Sequence, residues 1–400
     1  MTHSHSTGSI AGLTVLTVSA MARNGFEHRA SEEERQVVAA PGWPDRPWLF
    51  DALPRLRGRV PWTALVSAPT PVHRLETVSE RLGHDVWIKR DDKTSPLYGG
   101  NKSRKLEFVL GEALARNKKI LVTGGGLGTN HGLATVIFGK ELGFRVVLGL
   151  VDQPVTTQVR KNLRLYHAYG AQMLYVGSIP KALIRYYIID RIRRRGAFFI
   201  PAGASSPAGT LGYVDAALEL TAQVERHEIP LPRAIFVPVG SAGTMAGLVV
   251  GLRLAGLATR LIGVRVAHAP FAGPRAVLRL ARSTSNFMRR HDPGIPPLTL
   301  SLADITVDGA HYGPGYGYPT ETAREAISLM QDAEGIPLEV TYSGKTFAAL
   351  LHFVKNTPAE GPVLFWNTFN SVDLSPMAAA TKIEALPRQF HRFFEGEAVA

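Results

Sequence analysis

Short runs of β-branched and apolar residues alternate along this chain with longer stretches of helical periodicity, and this alternation limits the possible folds. The strand-like runs are residues 86–89, 120–123, 145–150, 172–176, 198–200, 234–238, 261–266 and 363–366. The helical windows are residues 104–116, 130–142, 157–169, 180–195, 243–254, 321–332 and 345–354. The alternation predicts an α/β fold with parallel-rich sheets flanked by helices. Ligands then bind at the carboxyl ends of strands, where loops meet helix N-termini.

The 400-residue chain contains no cysteine, which excludes disulfides, thiolate metal sites, iron–sulfur clusters and cysteine nucleophiles. Its 13 histidines are scattered and form no His-Glu-x-x-His pattern, so no metal site is predicted. The lack of cysteine favours a reducing compartment, and we predict a cytoplasmic protein.

A formal net charge of +12 suits an anionic substrate, a nucleic acid or a membrane surface. The densest basic run, residues 191–195, follows an apolar helical pattern and is interpreted as the charged end of an amphipathic helix. No motif that reads nucleic acid accompanies it. No run of about 20 apolar residues is present, so no membrane-spanning helix is predicted. We therefore expect neither nucleic acid nor membrane as a partner.

Residues 1–60 are interpreted as an N-terminal tail and a wrapping segment. Residues 10–22 are apolar, but no lysine or arginine precedes them, so the basic region of a signal peptide is missing. Residues 1–35 are either a tail or an arm that contacts a partner, and the pattern does not choose between them. Four prolines between Pro41 and Pro54 favour an irregular wrapping path for residues 40–61.

Lys102 is the first candidate catalytic residue. It follows Gly99, Gly100 and Asn101, and a helical pattern begins just after it. A lysine at a strand-to-helix turn lies near the positive end of the helix dipole, which favours the neutral amine. A neutral amine is the form that forms a Schiff base. Taken alone, however, a single lysine is far more often a solvated surface group.

A strand-like run leads into a loop of small residues, which is followed by a helical pattern. The loop consists of Gly240, Ser241, Ala242, Gly243 and Thr244. Backbone amides at a helix N-terminus, together with the two hydroxyl groups, can cradle a phosphate dianion. The loop contains no lysine, which predicts a neutral cup suited to a monophosphate. The alternative is a tight turn for helix packing, and the loop alone does not decide between them.

A second glycine-rich turn, GGGLGTNHG at residues 124–132, also stands between a strand-like run and a helical pattern. Thr129, Asn130 and the amides that follow them can bind a carboxylate at the helix N-terminus. The alternative is an ordinary N-cap, where Thr and Asn are favoured. Two other motifs are rejected, since residues 339–346 lack the first glycine of a P-loop and Pro207 replaces the last glycine of a nucleophile elbow.

Five motifs, in this order, resemble the family of 1-aminocyclopropane-1-carboxylate deaminase and D-cysteine desulfhydrase. They are GGNKSRKLEF (99–108), GGLGTNHG (125–132), IPAGASSPAGTLGYVDAALEL (200–220), VPVGSAGTMAGL (237–248) and VTYSGKTFAAL (340–350). The resemblance covers roughly residues 67–376. It implies the tryptophan-synthase-β-like fold, in which two α/β domains hold the cofactor pyridoxal 5'-phosphate (PLP) between them.

The resemblance implies roles for individual residues. Lys102 matches the lysine that holds the cofactor as a Schiff base and later moves the substrate proton. Thr129, Asn130 and His131 match the residues that hold the substrate carboxylate, with Thr129 in place of a serine. Asn130 also matches the asparagine that bonds to the phenolic oxygen of the cofactor.

Further matches concern the phosphate and the substrate. By the resemblance, the loop from Gly240 to Thr244 binds the cofactor phosphate, and Thr368 is a further cofactor-binding residue that this chain shares with the family. Tyr316 and Tyr342 match tyrosines at the substrate, although a tyrosine taken alone is more often a core aromatic.

Ser343 stands, by the resemblance, where the family places the partner of the pyridine nitrogen, and the cyclopropane-opening deaminases have glutamate there. A carboxylate keeps that nitrogen protonated, so the ring is a stronger electron sink than it is beside a serine. The weaker sink favours loss of a good β leaving group over the opening of a cyclopropane. The alternative is a turn residue before Gly344.

The chain departs from the family pattern after the last core strand. Phe369 and Asn370 follow Thr368 where desulfhydrase-like members have two glycines. Two side chains therefore stand where the backbone approached the ligand closely. Residues 128, 132 and 133 also differ from the family. These changes bear on the substrate more than on the cofactor.

The combined prediction is a PLP-dependent lyase or deaminase. It removes the α-proton of a small amino acid and eliminates the β-substituent to give a 2-oxo acid and ammonia, as a D-cysteine desulfhydrase does. Three alternatives stay open: β-replacement, 1-aminocyclopropane-1-carboxylate deamination, and a catalytically idle PLP-binding protein. Residues 105–213 are the predicted small domain, and residues 61–104 with 214–394 the large PLP-binding domain. Family members are commonly homodimers, which predicts a homodimer.

Overall fold

The computed structural model describes residues 46–178 and 196–398. The predicted helix at residues 180–195, with its basic run, and the apolar segment at residues 10–22 lie outside the described residues. Within the described ranges, no helix is long and apolar enough to cross a membrane.

The described strands form two sheets. In chain order they are β1 (Val72–Arg74), β2 (Val86–Lys89), β3 (Ile120–Gly126), β4 (Arg145–Val151), β5 (Gln172–Gly177), β6 (Phe198–Phe199), β7 (Ala234–Val239), β8 (Arg260–Arg265), β9 (Thr306–Asp308) and β10 (Val363–Trp366). One sheet has the order β1-β2-β10-β7-β8-β9, in which the β1–β2 pair is antiparallel and the other pairs are parallel. The second sheet, β5-β4-β3-β6, is parallel throughout.

Helices cover both sheets. In chain order the described α-helices are α1 (Trp48–Ala52), α2 (Glu76–Leu82), α3 (Asn101–Ala115), α4 (Asn130–Glu141), α5 (Thr157–Ala168), α6 (Pro207–Glu225), α7 (Gly243–Ala255), α8 (Ala269–Ala272), α9 (Pro274–His291), α10 (Glu321–Glu334), α11 (Ser343–Lys355) and α12 (Ser375–Ala380). Parallel neighbours need crossover connections, which such helices supply.

Strand β7 lies inside the six-stranded sheet and is buried along its whole length. Ile235 and Val237 belong to a core cluster with helices α6, α7 and α9, whereas Ala234 and Phe236 belong to another with α10 and α11. Successive side chains of a strand point to opposite faces, so helices pack on both faces of this sheet. This explains why β7 is a continuous apolar run rather than an alternating one.

Helix α6 lies against helices α3 and α7 at unusually short distances, which glycine permits. A Cβ atom on Gly212 of α6 would stand 2.1 Å from the carbonyl oxygen of Arg104 on α3. A Cβ atom on Gly247 of α7 would stand 2.4 Å from the Cβ atom of Tyr213 on α6. Both distances are shorter than atoms tolerate, so a larger residue at either position would push the helices apart.

A buried network of charged side chains joins α3 to α6 and to the end of β2. Arg104 Nη1 donates to Glu219 Oε2 at 2.9 Å, and Arg104 Nη2 donates to Asp91 Oδ1 at 2.9 Å. Lys89 Nζ also pairs with Glu219, and Trp366 Nε1 donates to Asp91 Oδ2 at 2.7 Å. Buried charges are costly unless paired, and here two cations meet two carboxylates. The network holds α3 in place two residues after Lys102.

The predicted α/β class with parallel-rich sheets is confirmed. Strands β2 and β10 have the predicted bounds, and β3 extends beyond its prediction through the glycines to Gly126. Helices α6 and α9 were not among the predicted helical windows. Helix α6 is buried on most of its surface, so it lacks the polar stripe that makes a helical period visible.

The wrapping segment is more regular than predicted. It contains helix α1 and a 3₁₀ turn at Pro54–Leu56, and Leu49, Phe50 and Leu56 enter the core cluster around α6. Apolar side chains spaced for one helical turn override the proline signal here. The boundary predicted between residues 104 and 105 falls inside helix α3, and the division into two domains stays a prediction.

Candidate active site

A cavity of about 970 Å³ opens at the carboxyl ends of strands from both sheets. Its wall includes Gly126 at the end of β3, Gly240 directly after β7 and Thr368 shortly after β10. All of the predicted site residues except Ser343 line this cavity. The structure therefore brings together residues that lie far apart in the sequence, at the edge where open α/β sheets bind ligands.

Lys102 lies in the first turn of α3 and lines the cavity. The preceding Gly100 has a φ of +89°, and a Cβ atom there would stand 2.7 Å from the carbonyl oxygen of Thr368. Only glycine fits this turn. Lys102 Nζ donates to Asn101 Oδ1 at 2.6 Å. Burial lowers the pKa of Lys102 to about 8, although the Glu339 carboxylate acts to raise it. The neutral amine needed for carbonyl attack is thus accessible at mildly alkaline pH.

Two tyrosines form a pair beside this amine. The hydroxyl oxygens of Tyr316 and Tyr342 lie 2.7 Å apart, and Lys102 Nζ lies 6.0 Å from the centre of the Tyr342 ring. Burial raises the pKa of both tyrosines, so both hydroxyl groups stay protonated. The pair can therefore donate a proton or a hydrogen bond into the cavity.

Glu339 places a carboxylate in the cavity wall. Its Oε1 accepts from the backbone amides of Tyr342 at 2.6 Å and Ser343 at 2.8 Å, and its Oε2 accepts from that of Thr341 at 2.8 Å. Burial raises the pKa of Glu339, while these hydrogen bonds act in the opposite direction. The carboxylate thereby fixes the turn that carries Tyr342 and lies close enough to influence Lys102 electrostatically.

The loop of residues 240–244 forms a concave surface at the start of α7. Helix α7 begins at Gly243, and amides in the first turn of a helix have no helical acceptor. Ser241 Oγ and Ser205 Oγ lie 2.7 Å apart, and Asn101 Nδ2 donates to Thr244 Oγ1 at 2.9 Å. A Cβ atom on Gly243 would stand 2.5 Å from Ser205 Oγ. Small residues, hydroxyl groups and a helix N-terminus together suit an anion.

The loop itself contains no lysine, as predicted, but Lys105 of helix α3 approaches it. A Cβ atom on Gly243 would stand 2.8 Å from Lys105 Nζ. Lys105 is buried, lines the cavity and donates to the carbonyl oxygen of Gly203 at 3.3 Å. It has no carboxylate partner among residues 46–178 and 196–398. Burial lowers its pKa strongly, and a bound phosphate would supply the missing negative charge.

The turn of residues 129–131 combines a helix cap with a buried imidazole. Thr129 Oγ1 accepts from the Gly132 amide at 3.2 Å, so Thr129 is the N-cap of α4 as well as part of the cavity wall. His131 Nε2 lies 2.9 Å from Thr123 Oγ1, whose proton goes to the carbonyl oxygen of Ile200. Nε2 must then carry the proton, and the buried Nδ1 is an acceptor without a partner in the described part of the chain.

Ser343 does not reach the cavity wall. Its hydroxyl accepts from the Glu339 amide at 2.8 Å, which ties the first residue of helix α11 to the turn before it. Its place beside the ring nitrogen stays a prediction. Thr368 does line the cavity.

Asn370, which replaces a family glycine, fastens the loop before Lys102. Its Oδ1 accepts from the Gly99 amide at 2.7 Å and from the Val372 amide at 3.1 Å. Phe369 lines the cavity, and its carbonyl oxygen would lie 3.0 Å from a Cβ atom on Gly100. The backbone of Thr368 and Phe369 thus packs closely against Gly100 although the two family glycines are replaced.

No group of three or more His, Asp or Glu side chains placed to hold a metal ion occurs in the described ranges. The groups that sequence reasoning missed are Lys105, Ser205 and Glu339. Lys105 stands three positions after Lys102, a spacing that puts both on one side of a helix. This spacing is the signal by which Lys105 could have been predicted as a site residue. Ser205 lies in the motif of residues 200–220 that carries the family resemblance, but no role is predicted for it there. No local signal marks Glu339.

Comparisons with known proteins agree with this site. The model of the family described as "Pyridoxal-phosphate dependent enzyme" matches residues 64–368. A D-cysteine desulfhydrase of Salmonella schwarzengrund is 35% identical over 321 residues, which cover 78% of this chain and 94% of that protein. One of Salmonella typhi is 34% identical over the same length.

Among solved structures, an ACC deaminase homologue matches with a TM-score of 0.69 and 28% identity, covering 81% of this chain and 95% of that one. A threonine deaminase matches with a TM-score of 0.55 and 21% identity, which shows the fold alone. The predicted family resemblance and the tryptophan-synthase-β-like fold are confirmed. A reactive lysine and an anion cup at one sheet edge are what such a family requires, and the chain belongs to the pyridoxal-phosphate dependent enzymes.

Proposed function

We propose that this enzyme is a D-cysteine desulfhydrase-like lyase, which eliminates the β-substituent of an amino acid and forms a 2-oxo acid and ammonia. The observation that carries the proposal is the placement of the Lys102 amine and an anion cup beside Lys105 in one cavity. The relatives that cover most of the chain carry the name of this activity.

The residues present fit the cofactor. We assign its phosphate to the amides of residues 240–244, the hydroxyl groups of Ser205, Ser241 and Thr244, and the Lys105 ammonium. The buried, carboxylate-free position of Lys105 and the tight packing at Gly243 support this assignment. We assign Asn130 and Thr368 to the ring of the cofactor, since both line the cavity that Lys102 also lines. Bound PLP supplies an electron sink that stabilises negative charge at the substrate Cα atom.

Lys102 is the proposed base that accepts the α-proton. Within residues 46–178 and 196–398 its amine has no carboxylate partner and donates only to Asn101, so its neutral form presents a free lone pair to the cavity. Asn101 also bonds to Thr244, and it therefore couples the position of the amine to the phosphate cup. A base held at a fixed distance from the reacting bond gains rate through orientation.

The substrate carboxylate is assigned to residues 129–131. The Thr129 hydroxyl and the first amides of α4 can donate to it at a helix N-terminus. The protonated Tyr316–Tyr342 pair is assigned to the leaving group, because a departing sulfur needs a proton and both hydroxyl groups line the cavity.

β-Replacement and 1-aminocyclopropane-1-carboxylate deamination are the competing reactions. The prediction against ring opening rests on the neutral Ser343, which stands where the cyclopropane-opening deaminases have glutamate. A catalytically idle binding protein is disfavoured because both a free amine and an anion cup are present.

We also propose the small and large domains predicted from the sequence, a homodimer and a cytoplasmic location. The four-stranded sheet lies within residues 120–199 and the six-stranded sheet on either side of it in the sequence, which supports the domain proposal. Light scattering would test the dimer, since a homodimer has twice the mass of the 43.4 kDa chain.

The test combines trapping with product analysis. Borohydride reduction of the holoenzyme, followed by peptide mass analysis, should place the cofactor on Lys102. D-Cysteine, L-cysteine and 1-aminocyclopropane-1-carboxylate are then assayed for 2-oxo acid, with and without an added thiol. Lys102→Ala should abolish both trapping and turnover, whereas Lys119→Ala, on an exposed lysine outside the cavity, should change neither. Trapping on another lysine, or no 2-oxo acid from any amino acid, would contradict the proposal.

A further inference from the structure

The cavity is larger than the cofactor and a cysteine require. PLP and cysteine together contain about 23 non-hydrogen atoms, which fill about 450 Å³ at the packing density of protein interiors. The cavity measures about 970 Å³. The remaining volume, part of which is the open mouth of the cavity, is available to something beyond the cofactor and a small amino acid.

The outer wall of the cavity is apolar. Leu174 and Val176 of strand β5 contribute from the four-stranded sheet, and Phe271 and Leu280 of helices α8 and α9 contribute from the other side. Tyr318 belongs to the loop that carries Tyr316, and in that loop Gly317 packs against Pro154. Polar side chains at the wall are Asp152, His268 and Arg279, which are solvent-exposed. An apolar wall with a polar rim is the usual form of a small-molecule site.

Two aromatic side chains of this wall, Phe271 and Tyr318, are exposed to solvent, which few large hydrophobic side chains of the described residues are. Five large hydrophobic side chains are exposed in the described part of the chain: Leu114, Leu231, Phe271, Leu302 and Tyr318. Two of the five, Phe271 at 53% and Tyr318 at 44%, line the cavity. Exposed apolar surface that gathers at the mouth of a cavity marks a binding surface. Both rings become covered if a ligand extends outward from the reacting centre.

We infer that the preferred substrate is a β-substituted amino acid whose leaving group is bulky and apolar, such as an S-benzyl or S-aryl cysteine. The α-amino-acid end lies at Lys102 and residues 129–131, and the substituent lies against Phe271, Leu280 and Tyr318. This inference rests on the proposed function, because it names the substrate class for the same elimination.

The reaction is balanced without any further reactant. The Cα–H bond breaks and its proton goes to Lys102, and the Cβ–S bond breaks with its electron pair leaving on sulfur. The thiolate takes a proton from the Tyr316–Tyr342 pair, which regains it from the Lys102 ammonium, and hydrolysis of the remaining enamine uses one water. An S-substituted cysteine and water thus give the free thiol, pyruvate and ammonium.

The experiment measures kcat/KM of the holoenzyme for S-benzylcysteine and for unsubstituted cysteine, both as D and as L enantiomers, by pyruvate formation. We expect the benzyl substrate to be favoured at least about tenfold, because a benzyl group leaves water on binding. Phe271→Ala and Tyr318→Ala should each lower that ratio about threefold or more. Leu302→Ala removes an equally exposed side chain outside the cavity and should leave the ratio unchanged.

Three results would overturn the inference in distinguishable ways. A higher kcat/KM for unsubstituted cysteine would show a small-substrate enzyme and leave the proposed function intact. A Phe271→Ala variant with an unchanged ratio but half the mass in light scattering would show that the exposed ring serves a subunit contact. Absence of pyruvate from either substrate would contradict the proposed function itself.

Discussion

At the scale of single residues, the pKa of Lys102 is set by two opposing effects, burial and a nearby carboxylate. Burial lowers its pKa to about 8, and the Glu339 carboxylate acts to raise it. The neutral fraction, which is the form able to attack the cofactor aldehyde, grows as the pH rises through the pKa. Without Glu339 the ammonium would lose the stabilisation that this charge provides.

We expect the rate at which cofactor-free protein captures PLP to rise with a midpoint near pH 8 in the wild-type protein, and Glu339→Gln to move that midpoint to lower pH. Stopped-flow absorbance across pH 6–10 measures both midpoints. An unchanged midpoint, or one moved to higher pH, would mean that Glu339 does not act on the amine.

Lys105 should contribute to cofactor affinity rather than to proton transfer. Its ammonium lies at the loop of residues 240–244, and a charge-assisted hydrogen bond contributes about 1.5–3 kcal/mol. Lys105→Met should therefore weaken PLP binding about 10- to 100-fold in a fluorescence titration of the cofactor-free protein. Lys119→Met, on an exposed lysine outside the cavity, is the matched control. A dissociation constant within twofold of the wild-type value would remove Lys105 from the site.

At the scale of elements, the position of Lys102 depends on how helix α3 is held. Arg104 ties α3 to Glu219 of α6 and to Asp91, and Asn370 fastens the loop in front of the helix. Gly212 lets α6 approach until its Cα atom lies over the Arg104 carbonyl group. The site therefore depends on a packing contact that no local pattern displays.

Gly212→Ala should destabilise the protein by about 1–3 kcal/mol, because its new methyl group would stand 2.1 Å from a backbone oxygen that cannot rotate away. Urea unfolding followed by circular dichroism measures the loss. Gly149→Ala is the matched control, since the nearest atom to its new Cβ would be 3.7 Å away. Equal stability of the two variants would show that α6 and α3 can separate at little cost.

At the scale of the whole molecule, two buried carboxyl groups fasten residues 46–66 to the core. Asp215 Oδ1 accepts from the Leu49 amide at 2.9 Å, and Glu107 Oε1 accepts from the amides of Leu65 and Val66 at 3.0 and 3.1 Å. Burial raises the pKa of Glu107 to about 8 and that of Asp215 to about 7. Folding therefore favours the protonated form of both groups.

This linkage makes stability depend on pH. With folded pKa values above the unfolded ones, the contribution of both groups is fully present below about pH 4 and is lost as the pH rises through 7 and 8. We expect the unfolding free energy of the wild type to fall as the pH rises from 5 to 8, and that of the double variant Glu107→Gln and Asp215→Asn to fall less. The two slopes should differ by on the order of 1 kcal/mol per pH unit. Urea unfolding at several pH values measures both slopes. A variant with a slope as steep as that of the wild type would contradict the expectation.

Much of the fold and part of the site could be read from local patterns. Periodicity of apolar residues located most of the described strands but only half of the described α-helices, and glycines beside Lys102 and Gly243 indicated the two loops where chemistry gathers. These signals are local because they express backbone conformation and burial of neighbouring residues. Helix α6 was not predicted, because burial on most of its sides removes the polar stripe that makes a helical period visible in the sequence.

By itself, the amino-acid sequence determined the α/β class, the reactive lysine and the small-residue loop that suits a phosphate. Only the tertiary structure decided that Lys105 approaches the cup, that Glu339 lies close enough to act on the Lys102 amine and that the Ser343 hydroxyl accepts from the Glu339 amide. The size and the apolar mouth of the cavity also belong to the tertiary structure. The physical reason is that charge, desolvation and free volume depend on which distant residues meet, and that is set by packing rather than by neighbours in the chain.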